Sequence, residues 1–216
     1  LNFSYVKIQT DSLNAAERRR LAGVVLAAGA SRRMGRNKQL LDVAGEALVR
    51  HTVRNVVAAG FDFVLVVLGR DADDVKTALR DMPVTFVVNE RYREGIGTSF
   101  KVGVDALPND VEAASFALAD MPLVTPAMHR AVTEAYRASR PPLVLARYGE
   151  VRAPPHLFRQ DLFGRFSGRG DHGPKDLVKE FGGEAVWLDF PEVALTDVDT
   201  PEDLQRMDVL LSGKQG

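Results

Sequence analysis

The chain predicts an α/β fold in three layers, a mostly parallel sheet with helices on both faces, and three observations carry that expectation. Short apolar runs recur at residues 23–27, 63–68, 84–88, 115–119 and 143–146, each short enough for a buried strand. Segments of helical period alternate with them. No internal repeat, low-complexity tract or long linker divides the 216 residues, so residues 21–216 are expected to form a single domain.

In chain order, residues 1–20 lack the continuous apolar core of a signal peptide and close on Glu17-Arg18-Arg19-Arg20, which reads as a loosely attached leader. The first strand, 23–27, leads into a glycine- and arginine-rich loop. Leu48, Thr52/Val53 and Val56/Val57 then recur on one helical face, and the strand at 63–68 comes next. After the strand at 84–88, Phe100, Gly103/Val104 and Leu107 mark a second helix, for which Thr98 or Ser99 is a ready N-cap. The strand at 115–119 runs into Asp120. Met128, Val132 and Tyr136 stripe a third helix before the strand at 143–146, and Thr200-Pro201-Glu202-Asp203 opens the last helix, with Asp199 or Thr200 as its cap. These stripes read as core faces.

Composition excludes several functions. With 45% apolar residues and a net charge of −1, the chain has no global polycation for nucleic acid. It has no cysteine, hence no disulfide, thiolate metal site or thiol nucleophile, and no apolar stretch of membrane-spanning length. The cytoplasm is the expected compartment, with no membrane partner. Four scattered histidines show no zinc spacing, and His51 and His129 read as surface or packing residues. No G-x-S-x-G elbow points to acyl transfer.

The loop after the first strand, Leu26-Ala-Ala-Gly-Ala-Ser-Arg-Arg-Met-Gly-Arg-Asn-Lys38, suits a triphosphate. Gly29 and Gly35 let backbone N–H groups converge on one anion, and Arg32, Arg33, Arg36 and Lys38 add positive charge. It is no Walker A loop: five residues separate the glycines and Arg36 comes directly after the second. A solvated basic loop after a buried strand would look similar. Because ligands of open α/β sheets bind beyond the carboxyl ends of the strands, Asp120 and the carboxylates of Thr196-Asp-Val-Asp-Thr200 are placed to reach the same ligand. Two carboxylates from separate strand ends are what Mg²⁺ takes from protein in a nucleotide site.

The spacing L-A-A-G-x-S-x-R-M-G-x-x-K-x-L-L-x-x-x-G from Leu26 to Gly45 resembles the MobA/MocA-like nucleotidyltransferases, and within them most nearly the molybdenum cofactor cytidylyltransferases. The resemblance implies a Rossmann-like nucleotide-diphospho-sugar transferase fold and Mg²⁺-dependent transfer of CMP from CTP, or of another nucleotide, to a molybdopterin-type phosphate. It assigns nucleotide binding to Leu26, Ala27, Ala28, Gly29, Ser31, Arg33, Gly35 and Lys38, and to Asn89, Gly95 and Ser99 of the segment after residue 88. Catalysis falls to Arg33, Lys38, Asp120 and Asp199, and the metal to Asp120 and Asp199, with Asp197 beside or in place of the latter. Ala28 implies CTP, because members that use GTP tend to read Leu-Ala-Gly-Gly there. Acceptor binding falls to Arg152, His156, Gly170, Asp171, Gly173 and Lys175. Here the sequence departs from the family pattern: Ala153 replaces a glycine, Pro154-Pro155-His156 replaces Gly-His-Pro, Pro174 comes after Gly173, and Gly97 stands where another residue is usual. A sugar or polyol phosphate acceptor stays open, as does a non-catalytic carrier of cofactor or nucleotide. A molybdoenzyme or its chaperone is the macromolecular partner the resemblance suggests.

Overall fold

The computed structural model describes residues 19–29, 37–170, 173–196, 198 and 200–213. Strand β1 (Arg20–Ala27) lies at the centre of the main sheet, followed by the short hairpin of β2 (Asp42–Val43) and β3 (Glu46–Ala47) and by α1 (Leu48–Ala58). Next come β4 (Phe63–Leu68), α2 (Ala72–Ala78), β5 (Thr85–Val88), α3 (Ile96–Asp105) and β6 (Val111–Leu118). Helix α4 (Pro126–Ser139) precedes β7 (Leu143–Tyr148), β8 (Val151–Arg152) and β9 (His156–Arg159). The described chain closes with α5 (Lys175–Phe181), β10 (Val186–Asp189) and α6 (Pro201–Ser212).

The sheet runs β10-β7-β9-β6-β1-β4-β5, with β8 paired to β7. All neighbours along it are parallel except β9, which is antiparallel to both β6 and β7. The three-layer, mostly parallel architecture expected from the sequence is the one observed. Differences lie at the edges: β1 starts at Arg20, where the guanidinium pairs with Asp110 at 3.2 Å, and β6 starts four residues before the apolar run at 115. Strands β9 and β10 and helices α2 and α5 are additions to the expected elements.

Side-chain alternation along β1 divides the core, since successive residues of a strand face opposite sides. Ala22, Val24, Leu26 and Ala28 join Phe100 of α3 and Leu177 of α5 on one face. Val25 and Ala27 join Val49, Val53 and Val56 of α1 and Val75 of α2 on the other. Phe116 anchors the first face, its ring centroid 4.9 Å from Phe100 and 5.7 Å from Phe166. Helix α4 packs on the second face through Val132 and Tyr136.

Among the described residues, no helix is long and apolar enough to cross a membrane.

The last helix selects between its two candidate caps. Thr200 Oγ1 accepts from Asp203 N–H at 3.1 Å, and Asp203 Oδ2 accepts from Thr200 N–H at 3.0 Å. This reciprocal pair satisfies two otherwise orphaned donors.

His51 and His129 are packing residues. His51 Nε2 lies 2.8 Å from the Val43 carbonyl oxygen, whereas both ring nitrogens of His129 are buried without a partner among the described residues, edge-on to Phe61. Burial lowers the His129 pKa to about 4 from its ordinary value of 6.5. Between those values the unfolded chain binds a proton that the native chain does not, so stability is present above pH 6.5 and is lost as pH falls toward 4, by about 3 kcal/mol at most. His129→Leu removes that proton uptake and leaves no hydrogen bond broken. Urea denaturation at pH 7.5 and pH 4.5 is expected to give a smaller stability difference for the variant than for the wild type, and an equal difference would refute the assignment.

Candidate active site

The site grows from the central strand pairing. Leu26 of β1 lies opposite Leu118 of β6, and the Ala119 N–H donates to the Leu26 carbonyl at 3.1 Å. Both strands therefore end at one level, and the residues just beyond them, Ala28-Gly29 after β1 and Asp120 after β6, border one cleft of about 510 Å³. Gly95, Ile96 and Ser99 at the start of α3 close another side, and Tyr92 and Arg93 form the rim. Open α/β sheets bind ligands at such strand ends.

Lys38 approaches from the short helical turn at 38–40, where Asn37 Oδ1 accepts from the Gln39 N–H at 3.1 Å. Its Nζ stands 3.6 Å from Asp120 Oδ2; the Lys38 side chain is 9% exposed and that of Asp120 is 41% exposed. A buried ammonium needs an anion nearby, and Asp120 supplies one while keeping part of its carboxylate open to the cleft.

Asn89 sits behind this cleft. Fully buried, it donates from Nδ2 to Thr98 Oγ1 at 2.8 Å and to Ser99 Oγ at 2.9 Å. With its acceptor site used in this way, the Ser99 hydroxyl keeps its own proton for a ligand. Asn89 thus positions Ser99 and does not line the cleft. Ala27 does not line it either, because alternation turns its methyl to the α1 face. Leu26, Ala28, Gly29, Gly95, Ser99 and Asp120 do line it. Ser31, Arg33, Gly35, Asp171, Asp197 and Asp199 lie outside the described residues. Gln39, Tyr92 and Arg93 are additions to the residues expected from the sequence, although Gln39 is the direct neighbour of the motif lysine.

Helix α3 begins earlier than Thr98 or Ser99 would make it. Its N-cap is Gly95, at φ 116°, and the Thr98 hydroxyl donates back to the Gly95 carbonyl at 2.8 Å. The extra turn brings the Gly97 N–H to the Gly170 carbonyl at 3.0 Å. A Cβ on Gly97 would fall 2.4 Å from the Arg169 carbonyl oxygen, so the unusual glycine is what lets the loop at 167–170 dock on α3.

A second cleft of about 590 Å³ adjoins the first through shared walls at Ile96 and Leu118. Arg152, His156, Gly173 and Lys175, the residues assigned to an acceptor from the sequence, line it together with Phe100, Pro154, Asp176, Val178 and Lys179. Gly170, assigned to the acceptor from the sequence, does not line it; its carbonyl is bonded to the Gly97 N–H of α3 instead. Arg152 lies over the Trp187 ring, 5.0 Å from its centroid. The peptide between Pro154 and Pro155 is cis. His156 Nδ1 lies 3.2 Å from both the Ala146 N–H, from which it can accept, and the Pro155 carbonyl oxygen, to which it can donate. Burial, opposed by the Pro155 carbonyl, lowers its pKa to about 4, so this ring is neutral at physiological pH.

For a divalent ion, the described residues contain no cluster of three acidic or histidine groups. They do contain Asp120, a hard oxygen donor in the cleft, and Val198, which is buried in one cluster with Met121. Such a donor suits Mg²⁺, which takes one or two carboxylates and fills its shell with water and phosphate.

The family model described as the MobA-like NTP transferase domain matches residues 23–185. Nicotine blue oxidoreductase of Paenarthrobacter nicotinovorans is 33% identical over 199 residues, covering 87% of this chain and 96% of that protein. The bifunctional protein GlmU of Agrobacterium fabrum is 36% identical over 126 residues, 56% of this chain and 27% of GlmU. Among solved structures, Rv0371c of Mycobacterium tuberculosis superposes with a TM-score of 0.77 at 29% identity, over 88% of this chain and 98% of that one. A manganese complex of Rv0371c superposes with a TM-score of 0.69 at 28% identity, over 87% and 97% of the two chains.

Gly97→Ala is expected to break the docking of the 167–170 loop, because the opposing atom is backbone oxygen and cannot rotate away. The expected cost is about 1–3 kcal/mol in urea denaturation, with faster hydrogen exchange at the amide of residue 97. Unchanged exchange there would show that the loop does not depend on this contact.

Proposed function

Because the chain belongs to the MobA-like NTP transferase family, we propose that it catalyses transfer of CMP from CTP to the phosphate of a molybdopterin-type acceptor, releasing pyrophosphate. The observation that carries this reading is the Lys38–Asp120 pair at the joint end of β1 and β6. It puts a carboxylate for metal in the first cleft and a cation for phosphate 3.6 Å behind that carboxylate, next to a second cleft lined by Arg152, Lys175 and Lys179.

In this proposal a phosphate oxygen of the acceptor attacks the α-phosphorus in line and pyrophosphate leaves. The second pKa of a phosphate ester is about 6, so the attacking oxygen is already ionised and no general base is required. The protein's task is to hold two anions in line and offset their repulsion. Lys38 and Arg33 bind the phosphates of the nucleotide, Ser99 donates to it, and Arg152, Lys175 and the His156 ring hold the acceptor. Asp120 with Asp199, or Asp197, would hold Mg²⁺, which supplies charge neutralisation at the phosphates.

A second reading has one observation in its favour. The relative matched over 96% of its length is named an oxidoreductase, and a nicotinamide dinucleotide could occupy the same strand-end cleft. A sugar or polyol phosphate in place of molybdopterin would leave the chemistry unchanged.

Purified protein with Mg²⁺, CTP and molybdopterin is expected to release pyrophosphate. Asp120→Ala should lower the rate by about 10³-fold with the urea midpoint nearly unchanged. Pyrophosphate release only with sugar or polyol phosphates would reassign the acceptor, and oxidation of NADH or NADPH without any pyrophosphate would favour the second reading. CTP should also raise the melting temperature more than GTP, ATP or UTP at equal concentration. A larger shift with GTP would overturn the reading of Ala28.

A further inference from the structure

Four buried side-chain polar atoms have no partner among the described residues: Gln39 Oε1, Ser115 Oγ and the two ring nitrogens of His129. Ser115 lies in the middle of β6 and His129 packs on α4 against Phe61, both remote from any ligand. Gln39 differs. It is 7% exposed, and its side chain lines the nucleotide cleft beside Ala28 and Gly29. A buried carbonyl oxygen without a donor costs about 1–3 kcal/mol, so its missing partner is the thing to be explained.

We propose that the Gln39 carboxamide reads the base of the bound nucleotide, its Oε1 accepting from an exocyclic amine and its Nε2 donating to the neighbouring ring nitrogen. This rests on the nucleotide reading of the cleft and deepens it. Three features favour a base over the other parts of a nucleotide. An orphan acceptor repels phosphate oxygens, whereas the amino group of cytosine or adenine is a donor with an acceptor nitrogen next to it. The amide lies beside Gly29, its Nε2 3.7 Å from where a Cβ on that glycine would lie. The Gln39 backbone N–H is tied to Asn37 Oδ1 at 3.1 Å, which fixes the turn from which the side chain projects.

Size selection adds to this. Ala28 is packed against Gly69, where even a Cβ would lie 2.7 Å from the Ala28 carbonyl oxygen and 2.9 Å from its Cβ. The wall behind Ala28 therefore has no room to yield. Gln39 selects amino-bearing bases and Ala28 selects pyrimidines, and cytosine alone satisfies both.

The test is affinity for CTP, UTP, ATP and GTP, each with Mg²⁺, read by thermal shift and by titration calorimetry. Gln39→Met keeps the stem and removes the amide; it should reduce the preference for CTP over UTP by about ten-fold. Gln39→Glu loses the Nε2 donor and sets an acceptor against the ring nitrogen of cytosine, whereas the ring N–H of uracil or guanine suits a carboxylate; it should lower the preference for CTP over UTP and GTP by a similar factor. Should both variants keep the wild-type ranking, Gln39 does not read the base. Equal weakening of all four by Gln39→Glu would place the side chain at the phosphates and also overturn the inference. If no triphosphate stabilises the wild type, the nucleotide reading itself fails and this inference with it. If Gln39→Glu does not fold, the CTP-to-UTP ratio of Gln39→Met decides alone.

Discussion

The parallel pairing of β1 with β6 is the constraint on which the site depends. Its register, Leu26 opposite Leu118, is fixed because one face of each strand is buried under α3 and the other under α1 and α4. Slipping by one residue would turn Val25 and Ala27 toward Phe100 and send Leu26 and Ala28 to the wrong face. Asp120 would then no longer stand two residues beyond the level at which Ala28 stands two residues beyond Leu26. The catalytic geometry is thus a by-product of core packing: the apolar pattern that makes the sheet also sets where the first carboxylate emerges.

The second constraint joins the two clefts. Helix α3 presents Ile96 to both, carries Ser99 on the nucleotide side and Phe100 on the acceptor side, and accepts the 167–170 loop at Gly97. Asn89 fixes the first turn of this helix from the buried side through Thr98 and Ser99. A single helix therefore sets the distance between the two clefts, which is what the proposed in-line transfer between anions would require. The aromatic packing of Phe100, Phe116, Phe158 and Phe166 beneath it keeps the helix from tilting.

Each part of the fold is legible in the sequence to the extent that it leaves a local or periodic signal. The central strands and the α1, α3 and α4 stripes are legible because they bury whole faces and therefore carry strong periodicity. The first half of β6 is not, because Glu112 interrupts the apolar run; it is buried all the same, with Arg140 at 3.6 Å as its partner. Strand β9 hides behind Pro154-Pro155, which reads as loop, and His156 reads as a ligand-binding residue without announcing that its Nδ1 is engaged by the Ala146 backbone. The start of α3 is hidden because Thr98 and Ser99 look like caps, while their hydroxyls are taken by Asn89 and Gly95, contacts that no local pattern encodes. Gln39 is silent for a related reason: its type is ordinary, and only burial without a partner makes it notable.

The energetics of the Lys38–Asp120 pair argue for a site poised to bind. Asp120 is 41% exposed and the two groups are 3.6 Å apart, so their attraction is partly screened and contributes on the order of 1 kcal/mol or less to the fold. Burying the Lys38 side chain costs desolvation wherever it is placed, and this one pair offsets little of that cost. A triphosphate changes that balance. It brings several negative oxygens into a cleft whose walls are already dry on the Leu26 and Ile96 sides, and there a fixed ammonium is worth more than in water. In the proposed reaction, the desolvation that weakens Lys38 as a structural residue would strengthen it as a phosphate ligand, and Asp120, 41% exposed, would keep an oxygen for a cation.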